Sequence, residues 1–208
     1  MKRTLSFLAG LILAGLAVLA SVAGPALQTK RFESAVLNTV KMEAVGMSES
    51  DLTAFARETM AYLRGEQTAW QPWTPFAIPE SFATHMAEVK GWVDVLKIAL
   101  PAGFVLALVC LWIGRDARAV RAGMLALLGL IAAVLLWAAV DFHSLWMVIH
   151  RVFIPGGIFP AGEPVMQLFP LALFFGYLPA VLVRLAGYGA VAGLAFFCRK
   201  RFASRSWL

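Results

Sequence analysis

Two of the chain's three histidines, His85 and His150, stand at the edges of its most apolar stretches, where a bilayer meets water. An imidazole titrates near neutrality, so at a membrane rim it can move protons beside a lipid head group. That placement points to chemistry on a lipid, although either ring could equally be an interfacial anchor. His85 has Glu88 one helical turn on, a spacing that lets a carboxylate orient or charge the imidazole. His150 lies within the apolar run Trp146-Met147-Val148-Ile149-His150-Arg151-Val152-Phe153, and His143 is placed to share its face. A metal site from His143, His150 and Asp141 has no HExxH-type spacing behind it, so no metal is assigned. The sequence also contains no GxSxG elbow and no phosphate-cradling glycine loop.

Arg184 is the most costly residue in the chain. Counting back fourteen residues from Cys198, at roughly 1.5 Å per residue, puts it about 21 Å from the inner edge of a span. In a hydrocarbon core of about 30 Å it then sits about 9 Å below the outer surface. Burial there costs roughly 2–3 kcal/mol even on insertion scales. Two readings are open: an anchor for an ester carbonyl, phosphate or acidic partner, and a side chain snorkelling to the interface.

These residues need a membrane to position them. The 208-residue chain is 61% hydrophobic with a mean hydropathy of +0.77, far above soluble domains. Its net charge of +6 is unevenly spread, which argues against nucleic acid. Lys2, Arg3, Arg115, Arg118, Arg121, Arg199, Lys200, Arg201 and Arg205 flank apolar runs, with Asp116 the sole acid among them. The segment between the first two runs is instead acidic. This is the positive-inside pattern.

The fold expected is all-α: four transmembrane helices, a small helical extracytoplasmic segment between spans 1 and 2, and an interfacial helix between spans 3 and 4. The whole of 1–208 reads as one integral membrane domain. Its spans fall at about 5–24, 97–114, 122–140 and 174–198, with outer segments 25–96 and 141–173 and both termini cytoplasmic. Ser21-Val22-Ala23 would suit signal cleavage, but the first run is longer than a signal core, so a retained anchor is expected. Cys110 and Cys198 read as small apolar packers. Gly189 and Gly193 form a GxxxG pattern suited to helix packing.

In the first outer segment, Ser48-Glu49-Ser50-Asp51 opens a helix with a capping box and Gly65 stops it. The turn Trp70-Gln71-Pro72-Trp73-Thr74-Pro75-Phe76 offers aromatics to the head-group layer. A second helix, from about Pro79, carries His85 and runs straight into span 2. In the second outer segment, 141–154 reads as an interfacial or partly re-entrant helix. The prolines at 155, 160, 164 and 170 keep the stretch after it irregular.

Three blocks then resemble the bacterial lipoprotein intramolecular transacylases, small four-span proteins of the cytoplasmic membrane. Val45-Gly46-Met47-Ser48-Glu49-Ser50-Asp51-Leu52 with Tyr62-Leu63-Arg64-Gly65 is similar to the family's first helix and its stop. His85-Met86-Ala87-Glu88-Val89-Lys90 resembles its His-x-x-acid-Val-Lys block. Asp141-Phe142, Ile149-His150-Arg151-Val152-Phe153, Glu163-Pro164 and Leu168-Phe169-Pro170 resemble its second histidine block. Ile149 and Ile154 depart from the phenylalanines expected there. The resemblance implies transfer of the sn-2 acyl chain of a diacylglyceryl-modified lipoprotein to the α-amine of its N-terminal cysteine, giving the lyso form, with no cofactor. For that reaction, with the site on the outer face, the hypothesis is His85 as base on the amine, His150 assisting by polarising the ester carbonyl or protonating the leaving oxygen, and Glu88 orienting His85. Arg184, Arg151 and Asp141 are the candidate substrate-binding residues, and membrane lipid is the surrounding partner. Two rival expectations are a phospholipid acyl hydrolase or transferase using the same histidines, and a non-catalytic membrane module binding a partner through its outer segment.

Overall fold

The computed structural model describes residues 1–154, 159 and 162–203, with 193–203 given as helix backbone alone. All regular elements among these residues are helical. In chain order they are α1 (Lys2–Ala26), α2 (Thr29–Thr39), α3 (Met42–Val45), α4 (Glu49–Arg64) and α5 (Glu80–Gly114). There follow α6 (Ala117–Val140), α7 (Phe142–Phe153), α8 (Pro164–Gln167), α9 (Leu171–Phe175) and α10 (Leu178–Ala203).

α1, α5 and α6 are each long and apolar enough to cross a membrane. The α8–α9 segment and α10, bent by 40° to one another, make a fourth crossing when the pair is taken as one span. Within that pair the chain turns at Gly176 and Tyr177, between the five-residue α9 and α10. Pro179 then suits the first turn of α10, where no backbone N–H is needed.

The bundle is built around α1, which packs along α5, α6 and α10. Without a hydrophobic driving force in lipid, helices associate by close backbone approach at small residues. Ser6, Ala9, Gly10, Ala14 and Ser21 are accordingly buried, with Pro25 at the end of α1. A Cβ at Gly10 would overlap the Val120 carbonyl, and one at Gly123 would overlap the Phe7 carbonyl. These glycines do what was expected of the GxxxG pattern: Gly189 faces open space and is exposed. Cys110 is buried, as a packer should be, while the side chain of Cys198 lies outside the described residues.

α5 runs for 35 residues. At about 1.5 Å each it extends about 52 Å, against a hydrocarbon core of about 30 Å. With its C-terminal end in the bundle, roughly its first fifteen residues, His85 and Glu88 included, stand clear of the apolar layer.

That projecting length is one wall of a helical head formed with α2, α3, α4, α8 and α9. Its core gathers Phe32, Val36, Leu52, Phe55, Met60, Trp70, Phe82, Leu168 and Leu173. α4 opens with a reciprocal cap: Asp51 N donates to Ser48 Oγ at 3.2 Å, and Ser48 N donates to Asp51 Oδ2 at 2.9 Å. It closes on Gly65 at φ 85°, a left-handed position that favours glycine. Lys97 Nζ, at the foot of the head, donates to the Arg64 carbonyl at 3.0 Å and pairs with Asp94 at 2.8 Å.

Two expectations for this region are corrected. Trp70 is not a head-group anchor: it is 5% exposed in the core, and its Nε1–H donates to buried Thr59 Oγ1 at 3.0 Å. The described part of the proline-rich stretch after α7 is not wholly irregular either. It forms α8 and α9, whose Val165, Leu168 and Leu173 are buried in the head because the segment carries an apolar residue every three to five positions.

Candidate active site

The site forms where the projecting part of α5 meets the end of α7. Phe82 and Met86 turn their face of α5 into the head core, which leaves His85, between them in sequence, at the margin of that core. α7 starts at Asp141, whose Oδ1 accepts from Ser144 N at 3.0 Å. Leu145 and His150 are its buried positions. The far end of α7 is held to α5 by Trp92, whose Nε1–H donates to the Phe153 carbonyl at 2.7 Å while the two rings meet edge to face at 5.4 Å.

This brings the two imidazoles together. Their ring centroids are 6.3 Å apart and their planes 23° from parallel. Aromatic side chains wall the pair. Phe82 and Phe159 each stand 5.6 Å edge-on from His85, and Trp146 lies 4.1 Å from His150. His150 is only 4% exposed. Its Nδ1 lies 2.9 Å from the Trp146 carbonyl oxygen. A carbonyl only accepts, so Nδ1 carries the hydrogen and Nε2 is left facing whatever enters.

His85 is half-buried, and its Nδ1 has no hydrogen-bond partner; neither has the buried Oε2 of Glu88. Glu88 therefore does not orient His85 through a hydrogen bond, and its effect is electrostatic. Burial, then the neighbouring His150, hold the His85 pKa below its ordinary 6.5, while Glu88 pulls it upward. An imidazole so placed is neutral at pH 7 and ready to accept a proton.

The other sequence candidates lie elsewhere. Asp141 is spent on capping α7, nine residues and about 13 Å of helix from His150. Arg151 is exposed on the turn after His150, and His143 is exposed near the start of α7. Among the described residues no three His, Cys, Asp or Glu side chains gather as a metal site. Arg184 is half-buried on α10 with its guanidinium against Gly24 of α1, so tightly that a Cβ there would overlap it.

Trp92 and Phe159 escaped the sequence reading. Trp92 falls seven residues after His85 and so on the same face of α5, which was a usable signal. Phe159 sits alone in a proline- and glycine-rich stretch and carried none.

Two near-parallel imidazoles, walled by aromatic rings at the edge of a membrane bundle, bring together two groups able to move protons. A sequence model of the family described as lipoprotein intramolecular transacylase Lit matches residues 7–174. The fold is similar to the in meso structure of the membrane-integral lipoprotein intramolecular transacylase Lit from Bacillus cereus, at 16% identity over 98% of each chain, TM-score 0.73. A form of that protein with a histidine changed to alanine is also similar, at 16% identity over 98% of this chain and 94% of the other, TM-score 0.69. A comparison with curated proteins finds no match to this chain. The chain belongs to the lipoprotein intramolecular transacylase family. It is a membrane acyltransferase that moves an acyl chain within one lipoprotein.

Proposed function

We propose that His85 is the general base and His150 its acid partner in transfer of the sn-2 acyl chain to the α-amine of the N-terminal cysteine of diacylglyceryl-modified bacterial lipoproteins. The observation that supports this most directly is the apposition of the two rings at 6.3 Å. The α-ammonium first loses a proton to His85. The amine nitrogen then attacks the ester carbonyl carbon, forming the C–N bond and moving the carbonyl π electrons onto its oxygen. Collapse breaks the bond to the glyceryl oxygen. The second proton lost from nitrogen goes to that oxygen, directly or through the imidazoles. The sum is one amide, one free glyceryl hydroxyl and one proton returned to water, with no added acyl donor.

Glu88 raises the proton affinity of His85 against the larger, opposite effects of burial and His150. Arg184 and Arg151 seat the lipid, the first within the outer leaflet and the second at its surface. Asp141 acts through α7, whose N-terminus it caps. The membrane holds both reacting ends of one molecule together, an entropic advantage. The basic flanks support a topology with both termini in the cytoplasm, and with it the head and its site on the outer face of the bacterial cytoplasmic membrane.

The test is to express His85→Ala and His150→Ala in cells lacking other lipoprotein N-acylation and to examine a reporter lipoprotein by mass spectrometry. The lyso form is expected to disappear with either substitution. If it persists at the wild-type level in both, the roles assigned here are wrong.

A further inference from the structure

Glu88 presents a buried carboxylate oxygen, Oε2, that accepts no hydrogen bond from the protein. A buried carboxylate left unpaired is costly, and such groups are normally matched by a donor. The neighbouring cations do not supply one. Lys90 is paired with Asp94 on the next turn, and the Nδ1–H of His150 is committed to the Trp146 carbonyl. The adjacent His85 Nδ1 is also buried and without a partner, one turn away on the same face of α5. Two orphaned polar atoms, a carboxylate oxygen and a ring nitrogen able to accept a proton, thus lie one turn apart on α5, with Phe82, Phe159 and His150 around the His85 ring.

A partner supplied by the substrate would satisfy both, and its chemistry can be read from what the atoms need. The ester and acyl portions of a diacylglyceryl cysteine offer carbonyl acceptors and hydrocarbon, and nothing that donates. Its α-ammonium offers three donors and a positive charge. We infer that Glu88 is the seat of the acceptor's α-ammonium, which bridges Glu88 Oε2 and His85 Nδ1. This rests on the acyl-transfer reading of the histidine pair and adds to it the group that selects and holds the amine. The bridge sets the direction of the first proton transfer, from nitrogen to His85 Nδ1, and so requires the neutral ring to carry its hydrogen on Nε2. It also stations the amine beside the ring before the ester is attacked.

The test uses the full-length protein in lipid nanodiscs and two non-reacting ligands. One is a dialkylglyceryl-cysteinyl peptide, with ether bonds in place of both esters. The other is its des-amino twin, lacking the α-amine. A charge-assisted hydrogen bond leads to an expected preference of about tenfold or more for the ammonium ligand in the wild type near pH 6.5. The preference should shrink above about pH 8, where the α-amine is neutral. Glu88→Gln should bring the two ligands to within about threefold of each other while leaving binding of the des-amino twin, which also reports folding, unchanged. Glu88→Asp should keep part of the preference. A preference that survives Glu88→Gln intact, or that is unchanged across the pH series in the wild type, overturns this inference and leaves the histidine roles standing. Failure of the wild type to bind either ligand overturns both.

Discussion

Phe82 is the ring through which the head core reaches the histidines, and replacing it separates folding from positioning. The side chain is 3% exposed and meets four rings: Phe159 at 4.9 Å, Trp70 at 5.5 Å, and His85 and Phe169 at 5.6 Å. Phe82→Leu keeps an apolar side chain of similar bulk and removes the ring pairs. At about 0.5 kcal/mol each, the low end of the range for aromatic pairs, the loss is about 2 kcal/mol. For a chain of this size that lowers Tm by about 4–8 °C. Phe55 provides the control: it is equally buried, meets only Trp70 and Phe169, and does not touch a histidine. Phe55→Leu should therefore cost about 1 kcal/mol and about 2–4 °C. Thermal unfolding in detergent measures both. Lyso-form production per folded protein should be near wild type for Phe55→Leu. It should be at least about tenfold lower for Phe82→Leu, since misplacement of a reacting group by about 1 Å costs up to 10²-fold. If the two variants make the lyso form equally well once corrected for folding, the head core does not position His85 and the reasoning fails.

The pH dependence follows from the environment of His85. A general base acts when neutral, so the rate falls as pH drops through its pKa, and burial and His150 hold that pKa below 6.5. Activity should thus persist into mildly acidic conditions. The groups facing the ring with charge to offer are Glu88 on α5 and His150 on α7, while Phe82 and Phe159 are neutral. Glu88→Gln removes the upward pull, so the acid limb of the rate profile should move to still lower pH; a limb that moves upward contradicts the electrostatics. Trp92 is 41% exposed, so Trp92→Phe should lower Tm by no more than about 2–4 °C. It deletes the hydrogen bond holding the end of α7 to α5, worth about 1 kcal/mol, and should lower lyso-form production several-fold. Unchanged production by Trp92→Phe would show that α7 is held by other contacts.

The elements whose signals are local were legible in the sequence. The Ser48–Asp51 cap, the Gly65 stop, the run from Pro79 through span 2 and the helix opened by Asp141 all depend on residues within one or two turns. The two histidines were legible as chemistry because few side chains titrate near neutrality, and their resemblance to one family's blocks supplied the pairing. What did not show was anything decided by long-range packing. Trp70 looks amphipathic in isolation, and only the presence of Thr59 eleven residues earlier lets it be buried. Leu168 and Leu173 look like the approach to a span until the head core exists to receive them. Gly189 looks like a packing glycine, but whether a small residue packs depends on which helix lies opposite, and α1 chose Gly123 and Gly114 instead. Asp141 also opens α7, with its Oδ1 accepting from Ser144 N, a capping role its place just before an apolar helix made legible.

The same logic explains why the site lies at the junction and not within either part. Two imidazoles buried in a bundle core would be desolvated without access to water, and two on a free loop would keep full solvation with no fixed separation. α5 resolves this by being longer than the membrane is thick: its C-terminal half is fixed by α1 while its first turns are fixed by the head. α7 then needs only one capped end, at Asp141, and one tether, at Trp92, to hold its histidine opposite the other. Aromatic rings wall the pair because they exclude water from the imidazoles without offering hydrogen bonds that would compete for their nitrogens. The site is thereby dry enough to shift His85 toward its neutral form and close enough to the membrane edge for a lipid tethered there to reach it.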